Sequence, residues 1–223
     1  MFRALIGSQG TVGSTLLDHM AFDHVFNSDN IGTLENYDFD QVVVAAPSGN
    51  RLAINRGATN DSEDVWDIIT AVKRARPAHV VLIGSVDAVT APKTHYGNNR
   101  ARLEYYLAES VPTTVLRLST LIGSHIKKNV LHDIKYNLFL DKIDAGAEIQ
   151  WCVINDLPRF IDQAQPRDVR NIVSEPIANW EILQRYRPEL VPAEIPHSTV
   201  RYNQQPYCYS KQQIFAAMDE YML

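Results

Sequence analysis

The chain has 223 residues, 45% of them hydrophobic, and a formal net charge of −5 at pH 7. That length holds one domain with a substantial core, with room for a small appended lobe. The acidic balance argues against nucleic acid or an anionic membrane as the main partner, and no apolar run approaches the ~20 residues of a membrane helix.

Residues 2–6 read as a buried strand, so no leader peptide is expected before it. Gly7, Gly10 and Gly13 follow at a three-residue spacing, and an apolar helix face then runs to Met20. A strand that passes through a glycine turn into a helix presents free N–H groups and the positive end of a helix dipole to an anion. Glycine is needed where a side chain would hold a pyrophosphate off, or where helix and strand approach closely. The spacing is G-x-x-G-x-x-G rather than G-x-G-x-x-G, because Ser8 and Gln9 both separate the first two glycines. The candidate cofactor contacts here are Gly7, Gln9, Gly10, Thr11, Val12 and Gly13.

A short strand over 24–27 ends at Ser28, Asp29 and Asn30, where a dinucleotide-binding fold meets the adenosine ribose. The Asp29 carboxylate would accept from ribose hydroxyls and repel a 2′-phosphate, which favours NAD. Ser28 and Asn30 could equally hold that phosphate, so NADP stays open. The β-branched run over 41–46 predicts a strand buried on both faces. It stops at Pro47-Ser48-Gly49-Asn50, and small Ala45 and Ala46 with Pro47 would let a cofactor lie close.

Residues 61–76 read as a helix, with Asp61 or Ser62 as N-cap and Val65, Ile68, Ile69 and Val72 on one face. A strand over 79–83 ends in Gly84-Ser85. A helix over 96–110 carries Leu103, Tyr106 and Leu107 inward, and a strand over 113–118 follows. This alternation predicts an open, mostly parallel α/β sheet with right-handed crossovers. The remainder reads as a helix over 127–140, a strand over 148–153, a helix over 155–164 and a strand over 169–173. A helix over 179–186, a proline-containing connection and a last helix over 211–221, capped by Ser210, complete the chain. These segments are short and scattered. They predict a core over 1–124 and a small C-terminal substrate lobe over 125–223, partly integrated with it.

Three features fall at the carboxyl ends of successive strands, where open α/β sheets bind ligands: the glycine turn, Ser85, and Tyr96 with Arg100 just downstream. Four residues apart on a helix, Tyr96 and Arg100 share a face, and a cation there favours a phenolate. Such a tyrosine can move a proton at a substrate hydroxyl, while the Ser85 hydroxyl holds the same oxygen. Arg100 could instead pair with Glu104. Asp87, Lys127, Lys128 and Asn129 are candidate substrate contacts, the two lysines for a phosphate or carboxylate. Cys152 and Cys208 fit no paired metal spacing, nor do His79, His125 and His132, so no metal is expected. The scarcity of thiols points to a reducing cytoplasm.

On GSQGTVG (7–13), IGSVDAV (83–89), YGNNR (96–100) and RLSTLIG (117–123), the chain resembles the short-chain dehydrogenase/reductase superfamily. The likeness is to its extended branch of sugar-nucleotide epimerases, dehydratases and reductases. Fainter matches run over 152–162 and 169–183. The resemblance implies a Rossmann-type, doubly wound parallel sheet, a bound NAD or NADP, and a Ser/Thr–Tyr–Lys set falling on Ser85, Tyr96 and Arg100. It implies that 117–123, with Leu118 and Ser119, borders the nicotinamide, and that Asp156 matches an acidic residue near the start of the lobe. Members often dimerise through helices such as 61–76 and 96–110, although both helices here also need an apolar face for the sheet.

The family lysine is Arg100 here, which keeps the charge and the reach to ribose hydroxyls but cannot readily shuttle a proton. Counting back from Val89 would put Val86, not Ser85, at the hydroxyl position, and the lobe is short for the extended branch. The expected function is an NAD(P)-dependent oxidoreductase or epimerase-like enzyme acting on a hydroxyl- or carbonyl-bearing small molecule. A nucleotide sugar is the substrate that the resemblance implies, with Tyr96 as acid–base. The rival is a dinucleotide-binding sensor or interaction module without turnover.

Overall fold

Ala4, Leu5 and Ile6 are apolar on both faces and buried, and with Arg3 they form the first strand, β1 (Arg3–Ile6). The computed structural model describes residues 1–200 and 203–223, Val200 by its backbone alone. In chain order β1 is followed by α1 (Thr11–His19), β2 (His24–Phe26), β3 (Gln41–Val44), α2 (Arg51–Asn55) and α3 (Asp61–Ala75). Next come β4 (Val80–Ser85), α4 (Asp87–Thr90), α5 (His95–Ser110), β5 (Thr113–Leu118), β6 (Thr120–Ile122) and α6 (Val130–Tyr136). Then follow β7 (Ala147–Ile149), β8 (Trp151–Val153), α7 (Leu157–Asp162), β9 (Val169–Ile172), β10 (Ile177–Ala178), α8 (Asn179–Tyr186), β11 (Thr199–Val200) and α9 (Lys211–Met222). Among the described residues no helix is long and apolar enough to cross a membrane.

The chain divides into two compact units, one of residues 1–118 with 155–170, the other of 119–154 with 171–223. A single cut after residue 124 therefore does not describe it. The segment carrying α7 returns to the first unit, where Arg3 pairs with Asp162 at 3.0 Å.

The large sheet is ordered β2-β1-β3-β4-β5-β9, and the first unit holds it as far as Arg170 within β9. The pairs β1–β2, β1–β3, β3–β4 and β4–β5 are all parallel, as the continuous Val/Ile/Leu runs of β3 and β4 require. Helices flank it; α3 packs beside α5, and α1 beside α7. Val65, Ile69 and Val72 of α3 join Val42, Val44 and Leu82 of the sheet in one buried cluster with Leu103 and Leu107 of α5. The chain steps from β1 out to β2, then back to the other side of β1 for β3. The order thus reverses between β1 and β3, and the crevice at their carboxyl ends is the ligand position of such sheets.

In the second unit the strand expected over 148–153 is two strands in two sheets. β7 pairs with β10 and β11, and β8 pairs with β6. Gln150 causes the break. Its buried amide donates to the carbonyls of Ser174 (2.7 Å) and Gln204 (2.9 Å) and accepts the Gln204 N–H (2.8 Å). The helix expected over 127–140 is seven residues long. Asn129 starts it by accepting the His132 N–H at 2.8 Å, and Asn137 ends it in a left-handed cap at φ 56°. Ser210 caps α9 as expected, in a reciprocal box with Gln213. Trp151, Ile122, Leu131, Ile182, Ile214 and Met218 are buried in this unit.

Candidate functional site

The three glycines of the first turn have different reasons to be glycine. Gly7 lies at φ +94°, and a Cβ there would meet the Ala45 carbonyl oxygen at 2.6 Å. A Cβ on Gly13 would meet the Gly7 oxygen at 2.1 Å. Both are required by the close approach of α1, β1 and β3. Gly10 is not: a Cβ would find its nearest neighbour at 3.5 Å, an ordinary contact, and its φ is −78°. Gly10 is exposed at the N-cap of α1, where no side chain caps the helix and no acid stands in the first turn. The first-turn N–H groups, from Thr11 onward, are thereby left for an outside acceptor. The absent side chain at Gly10 keeps the approach to them open. This cradle fits a pyrophosphate, and the fit lies at the β1/β3 crevice. Gln9 and Thr11 are exposed beside it and Val12 is half-buried.

At the end of β2, Ser28 and Asp29 are exposed. Asn30 is exposed and partly engaged by its own turn. Its Oδ1 accepts the Asn27 N–H at 2.7 Å and its Nδ2 donates to the Val25 carbonyl at 3.2 Å, so it shapes the turn that presents the other two. Ala45, Ala46 and Pro47, half-buried, follow β3 against Gly7.

Arg100 departs from both sequence expectations. It does not pair with Glu104, which bonds Arg117 instead at 2.9 and 2.7 Å. Nor does it stand open at a cleft: its side chain is 5% exposed and ion-paired with equally buried Asp61 at 2.6 Å. The same Nη2 donates to the Ser48 carbonyl at 3.0 Å, and the guanidinium lies over the Tyr96 ring, 4.5 Å from its centroid. Tyr96 and Arg100 do share a helix face, but the cation meets the ring face. Tyr96 is half-buried, and its N–H donates to Asn55 Oδ1 at 2.9 Å.

Ser85 ends β4, and its Oγ accepts the Asp87 N–H at 3.2 Å. Asp87, a candidate substrate contact, opens α4. It is buried and takes a 2.9 Å bond from Arg51 of α2. Asp61, Asn55, Arg51 and the Ser48 carbonyl were missed by sequence reasoning. Arg100 and Asp61 are 39 residues apart, and no linear spacing signals such a pair. Leu118 is buried at the end of β5.

In the second unit Ser119 Oγ donates to the Ile172 carbonyl at 3.3 Å. Lys127 and Lys128 are exposed. Asn129 is half-buried, caps α6 and donates one N–H to the Leu121 carbonyl at 2.8 Å. Asp156 pairs with Arg159 at 3.3 Å in the first unit. Among the described residues no group of three His, Cys, Asp or Glu could hold a metal ion.

No protein-family model matches the sequence, and no curated protein matches it. Solved structures do match in fold. UDP-glucose 4-epimerase of Thermotoga maritima, solved with UDP-glucose, superposes with a TM-score of 0.68 at 12% identity, over 94% of this chain and 89% of that one. WbmG of Bordetella bronchiseptica, solved with NAD, gives 0.68 at 15% identity, over 97% and 87%. The dTDP-4-dehydrorhamnose reductase of Yersinia enterocolitica gives 0.67 at 11%, over 100% and 99%. With its parallel sheet and glycine turn, the chain has a Rossmann-type fold shared with these epimerase and reductase structures.

Proposed function

We propose that the chain binds a nicotinamide dinucleotide, NAD or NADP, with the pyrophosphate at the N-terminus of α1. The observation that carries this is Gly10, the one glycine of the turn with no packing reason to lack a side chain. Fold neighbours solved with NAD support it. Asp29, exposed beyond β2, would accept from a ribose hydroxyl.

On this reading the chain is an NAD(P)-dependent oxidoreductase or epimerase-like enzyme, cytoplasmic, acting on a hydroxyl- or carbonyl-bearing small molecule. A nucleotide sugar is the class named by the fold neighbours. The cofactor, when bound, supplies hydride exchange. Tyr96 would give or take the proton at the substrate oxygen, and Ser85 would hold that oxygen by its O–H, its lone pair being engaged by the Asp87 N–H. Arg100 would act through Tyr96 and the Ser48 loop. A homodimer through α3 and α5 belongs to the same reading, with Trp66 and Tyr105 exposed on those helices.

One observation favours a second reading, binding without turnover. Arg100 is committed to Asp61 and the Ser48 carbonyl, and arginine does not pass a proton on. Calorimetry with NADH and NADPH tests the shared part; no binding by the wild type overturns both readings. Redox cycling with a panel of nucleotide sugars, abolished by Tyr96→Phe, selects the enzyme. Binding without cycling selects the second reading.

A further inference from the structure

Asp61 opens α3, where an aspartate would ordinarily face water or cap the helix. Instead Asn60 holds the N-cap position and Asp61 turns inward, 3% exposed. Both carboxylate oxygens are engaged in the interior, Oδ1 by Arg100 at 2.6 Å and Oδ2 by the Asn99 amide at 2.8 Å. Arg100 Nη2 continues to the Ser48 carbonyl, and the guanidinium plane covers Tyr96. Arg100 Nη1 is buried without a protein partner. One cation thus joins the start of α3, the first turns of α5 and the loop that follows β3.

A buried ion pair is a poor device for stability alone, since apolar residues of the same volume often do as well or better. What apolar residues cannot do is grip a backbone carbonyl and an aromatic face in fixed positions. Ser48 continues the Ala45–Ala46–Pro47 wall of the β1/β3 crevice, and Tyr96 carries the proposed proton. We infer that Asp61 is a positioning residue. Its carboxylate fixes Arg100, which holds the 47–50 loop and the Tyr96 ring in register at the dinucleotide crevice. The inference rests on the proposed cofactor reading for its purpose, but not for the grip itself.

The test replaces both charges at once, Asp61→Leu with Arg100→Met, so that no unpaired charge is buried. Hydrogen–deuterium exchange on the free protein is expected to quicken over residues 46–55 while the amides of β1, β3 and β4 keep their protection. NADH should bind about tenfold more weakly, because the crevice loop and the Tyr96 ring are no longer held in place before binding. Unchanged exchange over 46–55 overturns the inference, as does faster exchange there with unaltered NADH affinity. If the wild type binds neither NADH nor NADPH, the cofactor reading falls, and the exchange result alone decides whether the pair grips the loop. Should the double variant fail to fold, Asp61→Asn enters the same two assays. It keeps the shape and one oxygen acceptor, and local loosening is again the expected result and its absence the overturning one.

Discussion

Glu104 and Arg117 form a two-point pair between α5 and β5, with Glu104 Oε2 accepting from Arg117 Nε and Nη2. The other carboxylate oxygen is buried without a partner, 2.8 Å from where a Cβ on Gly84 would stand. Burial pushes the Glu104 carboxyl above its usual range, and the Arg117 hydrogen bond only partly offsets this. Arg117→Met leaves the carboxylate buried and unpaired, and should cost about 3 kcal/mol in urea denaturation at pH 7. The sign of the pH effect follows from the raised value. The folded state binds the proton more tightly than the unfolded one, so the stability contributed by protonated Glu104 is full below about pH 4.5 and is lost as pH rises through the folded value. Arg117→Met should therefore recover stability at low pH, and a variant equally weak at pH 4 and pH 7 would contradict the assignment.

The glycine turn separates packing from binding. Gly13→Ala drives a Cβ into the Gly7 carbonyl and should destabilise by about 1–3 kcal/mol. Gly10→Ala meets no close neighbour, so thermal stability should stay within about 0.5 kcal/mol of the wild type. Its NADH affinity should fall, and that of Gly10→Asp should fall further because its charge opposes the pyrophosphate. Wild-type affinity in Gly10→Asp would place the dinucleotide elsewhere.

Tyr96→Phe removes one oxygen and keeps the ring beneath Arg100. Stability should change by less than about 0.5 kcal/mol, while redox cycling of bound nicotinamide is abolished. Retained cycling would remove Tyr96 from the chemistry. A large loss of stability would show that its hydroxyl serves the fold.

His79 sits in a relay across the sheet. Its Nε2 is 2.8 Å from Thr114 Oγ1, which itself donates to the Gln165 carbonyl, and its Nδ1 faces the Gln41 amide nitrogen. That network assigns a neutral ring protonated at Nε2. Burial lowers the His79 pKa below its ordinary 6.5. Below about pH 6.5 the unfolded chain takes up a proton that the folded one refuses, so stability is full above that value and falls as pH drops. His79→Gln should flatten the denaturation midpoint between pH 7 and pH 5; an unchanged slope would assign the titration to another group.

The sheet was legible because its strands are continuous apolar runs, and runs such as 41–44 and 80–83 admit few other readings. The glycine turn was legible because its spacing is local. The interior of the site was not. The positions of Arg100, Asp87 and Glu104 are set by partners 39, 36 and 13 residues away, and helical spacing suggests only neighbours such as Arg100 with Glu104. The second unit was read poorly for a related reason. A single polar side chain, Gln150, divides a strand by bonding to the backbone of Ser174 and Gln204 from elsewhere in that unit.

The return of residues 155–170 to the first unit bears on how the chain acquires its structure during synthesis. At about 5–20 residues per second, the ribosome takes a few seconds between Leu118 and Arg170. Throughout that interval β5 has been made but the strand beyond it has not, and Arg3 lacks Asp162. The nascent sheet therefore waits with an open edge and an incomplete face over α1. That interval is when strand-to-strand misassociation, or capture by a chaperone, has its opportunity.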